Sequence, residues 1–159
     1  MVSNIIQFNV MSYTKLLYHI IFRTKRSIRS IEEEYEKELY SYILGFCRKK
    51  GCHLYRIGGM PDHIHMLVSI PPSISLSQFM KDLKVSTSKW LFTNINFIYF
   101  TGWGEGYGAF TYSMSDKDVV ANYIANQKTH HAKVDFFSEF LSLLREHGIE
   151  PDMKYFMKD

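Results

Sequence analysis

A histidine pair, His63 and His65, follows directly after Pro61 and Asp62. In a β-strand, residues two apart lie on the same face, so both imidazoles would point the same way and could converge on one ion. A His-x-His pair also occurs at protein surfaces and in hydrogen-bonded cores, and from these two residues alone that interpretation stays open. The pair is a candidate metal-binding element that needs a third ligand from elsewhere in the chain.

That third ligand is predicted in a later helix. Gln127 lies one helical turn after Tyr123, within the inward stripe predicted for Val119, Val120 and Ile124. A buried amide without a partner costs about 1–3 kcal/mol, so a hydrogen-bond network or a metal must satisfy it. Two histidines and a glutamine oxygen form a neutral ligand set that leaves positions open for water or phosphate oxygens, as in a catalytic centre.

Tyr123 is the candidate nucleophile, because its phenol would lie near any metal that Gln127 binds. A tyrosine can attack a phosphate and hold a cut DNA strand as a covalent phosphotyrosine until the strand is rejoined. The metal would polarise the scissile phosphate, and no nucleotide cofactor is needed because the protein linkage keeps the energy of the ester. An ordinary core tyrosine is the alternative in a chain with 11 tyrosines.

Alternating strands and helices must position these residues. The first half of the chain predicts a strand at Lys15–Thr24, a helix opened by a Ser30–Glu33 capping box and ending near Lys50, and strands at Cys52–Ile57 and His63–Ile70. The face of the last strand with Ile64, Met66, Val68 and Ile70 is its predicted core face.

The second half adds three helices and one strand. They are a helix capped by Ser75 and Gln78, a glycine-rich loop at Thr101–Gly108, a strand at Ala109–Ser113, a helix capped by Ser115 and Asp118 that runs to about His130, and a helix at Asp135–His147. The order βαββαβαα predicts an α+β fold with a ferredoxin-like (RRM-like) antiparallel sheet and helices packed across it.

Length and composition limit the class of protein to which the chain can belong. A chain of 159 residues with 46% hydrophobic content fits one compact domain, predicted to span residues 1–159. The two cysteines indicate neither a disulfide framework nor a cysteine zinc site. No apolar run reaches the roughly 20 residues of a membrane helix, and no signal peptide is recognisable, so a soluble cytoplasmic protein is expected.

Three motifs carry a resemblance to a known family. They are Pro61-Asp62-His63-Ile64-His65-Met66-Leu67-Val68, then Trp103-Gly104-Glu105-Gly106-Tyr107-Gly108-Ala109-Phe110, then Tyr123-Ile124-Ala125-Asn126-Gln127-Lys128-Thr129-His130-His131. In this order they resemble the single-tyrosine transposases of insertion sequences and their REP-associated relatives. These enzymes form part of the HUH class, named for histidine, hydrophobic residue, histidine. The similarity runs from about Tyr13 to the tail at Tyr155.

The resemblance implies an activity and a ligand set. His63, His65 and Gln127 would bind Mg²⁺ or Mn²⁺, and Tyr123 would attack single-stranded DNA near a hairpin, giving a 5′-phosphotyrosine and a free 3′-hydroxyl. A homodimer is also implied, in which the helix bearing Tyr123 could complete the active site of the other subunit. Two imidazoles suit manganese, cobalt or zinc better than magnesium. The resemblance therefore predicts the ligand set more closely than the identity of the ion.

Basic residues are the candidates for DNA contacts by the same resemblance. They are Arg23, Lys25, Arg26, Lys81, Lys84 and Lys89. Solvated charges on helices and loops are the plainer interpretation of this set. Two other functions stay open for the chain: a non-catalytic module that binds single-stranded or structured nucleic acid, and a metal-dependent phosphodiesterase in which Tyr123 only supports an activated water.

Overall fold

The computed structural model describes residues 12–154, 156 and 158–159. The predicted 1–159 domain, and the similarity that reaches Tyr155, include positions outside those residues. A four-stranded antiparallel sheet lies at the centre, with the strand order β2-β3-β1-β4. The strands are β1 (Leu17–Arg23), β2 (His53–Met60), β3 (His63–Ser69) and β4 (Gly108–Tyr112).

Within the described part of the chain, five α-helices accompany the sheet. They are α1 (Glu36–Lys49), α2 (Leu76–Phe92), α3 (Lys117–Ala125), α4 (Gln127–His131) and α5 (Phe136–Glu146). The element order and the strand order confirm the predicted α+β, ferredoxin-like fold. Among the described residues, no helix is long and apolar enough to cross a membrane.

One face of the sheet carries the larger apolar core. The pleat of β3 puts Ile64, Met66 and Val68 on this face, as predicted, and all three are buried. α1 and α2 cover the face with Leu39, Ile43, Cys47, Phe79, Met80, Leu83 and Leu91. The predicted cap of α2 is confirmed, because the Ser75 hydroxyl accepts a hydrogen bond from the Gln78 amide.

Helices also cover the opposite face of the sheet, which carries His63 and His65. Leu17 and Ile21 of β1 and Leu67 of β3 are buried there against α3 and α5. Ile21 lies opposite His65 in the antiparallel register, and Arg23 lies opposite His63. The two histidines are therefore enclosed between the sheet and the last three helices.

The start of α1 was predicted too early. Ser30 and Glu33 do not form its capping box, and the helix begins at Glu36. The reason is a competing partner, because the backbone amides of Ser30 and Ile31 both donate to the carbonyl of Pro61 in the β2–β3 turn. This anchors the segment to the hairpin that precedes His63.

The predicted third helix differs from the observed one in three ways. It is interrupted at Asn126, whose φ of −97° and ψ of 16° separate α3 from α4. Ser115 and Asp118 do not cap it, since the N-terminal flanking residue is Asp116 without a side-chain cap. Val119 was placed on the inward stripe, but its side chain is 72% exposed.

Candidate metal and nucleophile site

The two histidines of β3 are held in fixed orientations by neighbours. His63 Nδ1 lies 2.7 Å from Asp62 Oδ1, and His65 Nδ1 lies 2.9 Å from His19 Nε2. His63 and His65 are 1% and 0% exposed. Both Nε2 atoms point toward the helices, and an outer partner that fixes the other ring nitrogen is the usual arrangement of a metal-binding histidine.

Burial keeps part of this histidine group neutral. Desolvation, with a further contribution from His65, lowers the pKa of His19 from 6.5 to about 3. Desolvation also lowers the pKa of His65 to about 4, against the opposing effect of Glu139. Near neutral pH both rings are therefore uncharged, which is the form in which an imidazole can bind a metal.

The structure brings Gln127 to the histidines. Its side chain is buried at the start of α4, and its Oε1 lies 3.4 Å from His63 Nε2. Its Nε2 donates to Glu139 Oε2 at 3.1 Å. The expectation that this inward amide needs polar partners is confirmed by these contacts.

Tyr123 comes to the same place from α3. Its ring centroid lies 5.9 Å from that of His65, and its hydroxyl donates to Glu139 Oε2. Desolvation raises the pKa of Tyr123, and the hydrogen bond to Glu139 raises it further, so the phenol retains its proton in this state. The ring also lines a cavity of about 390 Å³ with His19, Tyr112, His130 and Glu139.

Glu139 of α5 is the central residue that the sequence interpretation missed. It is 3% exposed, and its two oxygens contact different partners. Oε1 lies 3.0 Å from both His65 Nε2 and His131 Nε2, whereas Oε2 accepts from Tyr123 and Gln127. Burial alone would raise the pKa of Glu139, but hydrogen bonds from His131, His65 and Tyr123 outweigh it, so its pKa is well below the ordinary value.

Signals for the missed residues were present in the sequence. Glu139 lies three residues after Phe136 and four before Leu143, both buried residues of α5, so it belongs to the inward stripe of that helix. His19 lies between Leu17 and Ile21 on the second face of β1, where every second residue is buried. A polar side chain on a buried stripe requires a partner, and this requirement singles out Glu139 and His19 as it does Gln127.

The donor set of the site suits a divalent cation. His63, His65, His131 and Glu139 each offer one ligand atom, and these four atoms lie within 4.8 Å of one another. Gln127 Oε1 adds a fifth candidate oxygen beside His63. Imidazoles with a carboxylate form common binding sites for zinc, manganese and iron.

The predicted DNA-binding residues divide into two groups. Lys25, Arg26, Lys81 and Lys89 are exposed. Arg23 is buried and paired with Asp159, while Lys84 donates to the carbonyls of Gly104 and Gly106 at 2.9 and 2.6 Å. The structure thus gathers Arg23, Lys25 and Lys84 around the Gly102–Gly106 loop, since the Lys25 amide also donates to Gly102 and the Gly104 amide to Arg23.

Sequence comparison connects this geometry with known proteins. The family profile described as "Transposase IS200 like" matches residues 12–127. The chain is 35% identical over 75 residues to the transposase for insertion sequence element IS200 of Salmonella typhimurium, which is 47% of this chain and 49% of that protein. It is 25% identical over 118 residues to the ISDra2 transposase TnpA of Deinococcus radiodurans, covering 71% and 84% of the two chains. The chain spans about half the length of the Salmonella relative it matches.

Solved structures share the fold. A crystal structure of a Deinococcus radiodurans R1 protein assigned as a transposase superposes with a TM-score of 0.58 at 26% identity, over 73% of this chain and 93% of that one. A REP-associated tyrosine transposase bound to a REP hairpin gives the same TM-score at 14% identity, over 78% and 73%. The profile match covers well over half of the sequence and includes the histidine pair, Tyr123 and Gln127. The chain therefore belongs to the IS200-like transposase family.

Proposed function

We propose that the chain is a DNA strand transferase that cuts and rejoins single-stranded DNA through a covalent 5′-phosphotyrosine at Tyr123. The observation that carries the proposal is the convergence of a tyrosine hydroxyl, two inward histidines and a buried glutamine from three separate elements. These residues are about 60 positions apart in the sequence. Burial of apolar surface does not explain why they meet, because each is a polar group whose burial costs free energy unless it finds a partner. Family membership supports the same activity.

The proposed metal ligands are His63, His65 and Gln127. The neutral state of His65 and the 3.4 Å separation of Gln127 Oε1 from His63 Nε2 support this assignment. A divalent cation such as Mg²⁺ or Mn²⁺, once bound, would polarise the scissile phosphate and stabilise the charge that develops on it. The histidines act by holding their Nε2 atoms toward that position, with Asp62 and His19 fixing the rings.

The proposed reaction exchanges one phosphate ester for another. The Tyr123 hydroxyl oxygen forms a bond to the phosphorus as the bond from phosphorus to the 3′ oxygen breaks, so no external energy source is required. The phenol proton passes to water as the new bond forms, the leaving 3′ oxygen takes a proton from water, and Glu139 Oε2 orients the attacking hydroxyl through its hydrogen bond. The reverse attack by a 3′-hydroxyl rejoins a strand and returns the proton to Tyr123.

Single-stranded DNA with a hairpin is the proposed substrate. Support comes from the related fold of the REP-associated tyrosine transposase, which is bound to a REP hairpin. The exposed residues Lys25, Arg26, Lys81 and Lys89 are proposed to contact phosphates, with Arg23 and Lys84 near them. We further propose that residues 1–159 act as a single domain and that the active form is a homodimer.

Replacement of Tyr123 by phenylalanine tests the nucleophile. With hairpin-bearing single-stranded DNA and Mn²⁺, the unmodified chain should form a covalent adduct that migrates as a protein–DNA species after denaturation. The Y123F variant should form none, because only the attacking oxygen is removed while the ring is kept. Tyr112 provides a matched control, since it lines the same cavity from β4, and Y112F should keep the adduct.

The same assay separates the rival functions. Adduct formation by Y123F would overturn the nucleophile assignment. Cleaved DNA that is free of protein would instead indicate a phosphodiesterase that uses water. Binding without metal, cleavage or adduct would indicate a nucleic-acid-binding module.

A further inference from the structure

The Glu139 carboxylate is surrounded by histidines on one side. Its Oε1 lies 3.0 Å from His65 Nε2, 3.0 Å from His131 Nε2 and 3.7 Å from His63 Nε2. The Glu139 and His65 side chains are 1% and 0% exposed, and that of His131 is 5% exposed. A carboxylate oxygen is therefore enclosed, largely away from water, by three imidazole nitrogens from two different elements.

These separations match those between the ligands of a transition metal. Bonds of about 2.0–2.1 Å put neighbouring ligand atoms about 2.8–3.0 Å apart when they meet at right angles and about 3.3–3.4 Å apart at tetrahedral angles. The contacts of Glu139 Oε1 with His65 and His131 agree with that spacing, and the contact with His63 is slightly wider. All four donor atoms lie within 4.8 Å of one another, so side-chain movements of less than about 1 Å would bring the whole set into contact with one ion.

His63 adds an independent argument for a cation at this position. Its Nδ1 lies 2.7 Å from the Asp62 carboxylate, where a ring N–H is the natural donor. The Nε2 of that tautomer is a lone pair, yet it faces two further oxygens, Gln127 Oε1 at 3.4 Å and Glu139 Oε1 at 3.7 Å. A cation bound among these three acceptor atoms would contact all of them.

Resting on the metal site of the proposed function, we propose that Glu139 and His131 bind the same ion as His63 and His65. The centre is then a three-histidine, one-carboxylate site that selects a transition metal, with zinc or manganese as the best matches, over magnesium. Magnesium prefers near-octahedral oxygen ligands and keeps several waters, whereas three imidazoles favour softer ions. Gln127 contributes a weaker fifth contact or orients the carboxylate through its hydrogen bond to Oε2.

The two carboxylate oxygens of Glu139 have different roles. Oε1 faces the proposed ion, while Oε2 accepts the hydrogen bond of the Tyr123 hydroxyl. The carboxylate therefore joins the ion to the nucleophile through a single rigid group. Because α5 carries Glu139, docking of this helix on the sheet is required to complete the centre.

Metal affinity measured by titration calorimetry on the EDTA-treated full chain tests the proposal. Zn²⁺ should bind with one site per chain, and a large excess of Mg²⁺ should not displace it. Loss of an outer partner typically lowers metal affinity 10- to 100-fold, so loss of a direct ligand in E139Q should lower it by about 100-fold or more. H131N should weaken binding as well, and E139D, which keeps the charge but shortens its reach, should also lose affinity.

Two variants serve as matched controls. Glu146 is exposed at the other end of α5 and lies outside the group of four proposed ligands, so E146Q removes the same charge from the same helix without removing a ligand. His53 is exposed at the start of β2 and pairs with Ser69, at the far end of β3 from His63, so H53N removes an imidazole well outside the ligand group. Both should keep the affinity of the unmodified chain within about twofold, a smaller change than loss of even an outer partner produces.

The outcomes separate this proposal from the one on which it rests. Unchanged affinity in E139Q, together with loss in H63A, would overturn Glu139 as a ligand and leave the histidine site intact. Tighter binding by E139Q would overturn it too, since the carboxylate would then be a competitor of the ion. Absence of binding by the unmodified chain would overturn both metal assignments. Circular dichroism spectra of each variant, compared with that of the unmodified chain, show whether a loss of affinity is caused by misfolding.

Discussion

Each of the two β3 histidines is paired with a second residue that contacts its other ring nitrogen. Asp62 holds His63, and His19 holds His65, through the ring nitrogen that faces away from the helices. An imidazole whose far nitrogen is fixed presents its other nitrogen in one tautomer and one direction, which lowers the entropic cost of binding an ion. His19 therefore matters to the site although it points at no substrate.

Substitution of His19 by phenylalanine should lower the free energy of unfolding by about 1–3 kcal/mol, the cost of a buried polar atom left without a partner. The phenylalanine ring fills the volume, but it cannot pair with His65 Nδ1. Urea denaturation in the presence of EDTA measures the effect on the protein alone. His53 is exposed at the start of β2, so H53F should change the free energy by less than about 0.5 kcal/mol. Equal stability of H19F and the unmodified chain would show that His65 needs no partner there.

At the scale of elements, close packing between β2 and α3 sets the position of the nucleophile. A Cβ atom at Gly58 would lie 2.8 Å from the backbone carbonyl oxygen of Ile124, the residue after Tyr123. The absence of a side chain at this position of β2 is what allows the helix to approach the strand. The helix thereby delivers Tyr123 to the plane of the histidines.

A Gly58→Ala substitution should push α3 away from the sheet. The contact is with backbone, which cannot rotate aside, so we expect a loss of about 1–3 kcal/mol in the free energy of unfolding and a lower yield of covalent adduct. Gly45 offers the opposite case, because a Cβ atom there meets nothing within 4 Å inside α1. G45A should therefore raise stability by about 0.5–1 kcal/mol. Denaturant titrations of both variants measure the contrast, and a G58A variant as stable as the original would refute the packing argument.

The sequence predicted those elements whose pattern is local. The alternation of β3 identified the core face and, by exclusion, the direction of His63 and His65. It did not predict the delayed start of α1, because the Pro61 carbonyl that binds the Ser30 amide comes from a distant turn. It also did not predict the break between α3 and α4 at Asn126. Glu139 was missed for a related reason, since the partners that permit its burial come from β3, α3 and α4 and converge only in the folded chain.

Across the whole molecule, the candidate site and three of the basic residues, Arg23, Lys25 and Lys84, lie at the same end of the sheet. Arg23 ends β1 opposite His63, and Thr24 forms a bridge with Trp103 beside the glycine-rich loop. Lys84 reaches that loop from α2. A strand of DNA held by this end would pass from the basic surface toward the histidines without crossing the apolar core.

Salt dependence of DNA binding tests this arrangement. Lys25 is exposed just beyond the end of β1, so K25A should remove about one phosphate contact and reduce the slope of log affinity against log salt concentration by about 0.7, the value for single strands. The loss should be similar for hairpins of different sequence, because a phosphate carries no base information. Lys49 ends α1 next to the start of β2, at the opposite end of the sheet, and K49A should leave the slope unchanged. Fluorescence anisotropy with labelled hairpin DNA in EDTA, between 50 and 200 mM salt, covers the range in which counterion release dominates. If K49A rather than K25A flattened the slope, the DNA path would lie at the other end of the sheet, far from Tyr123.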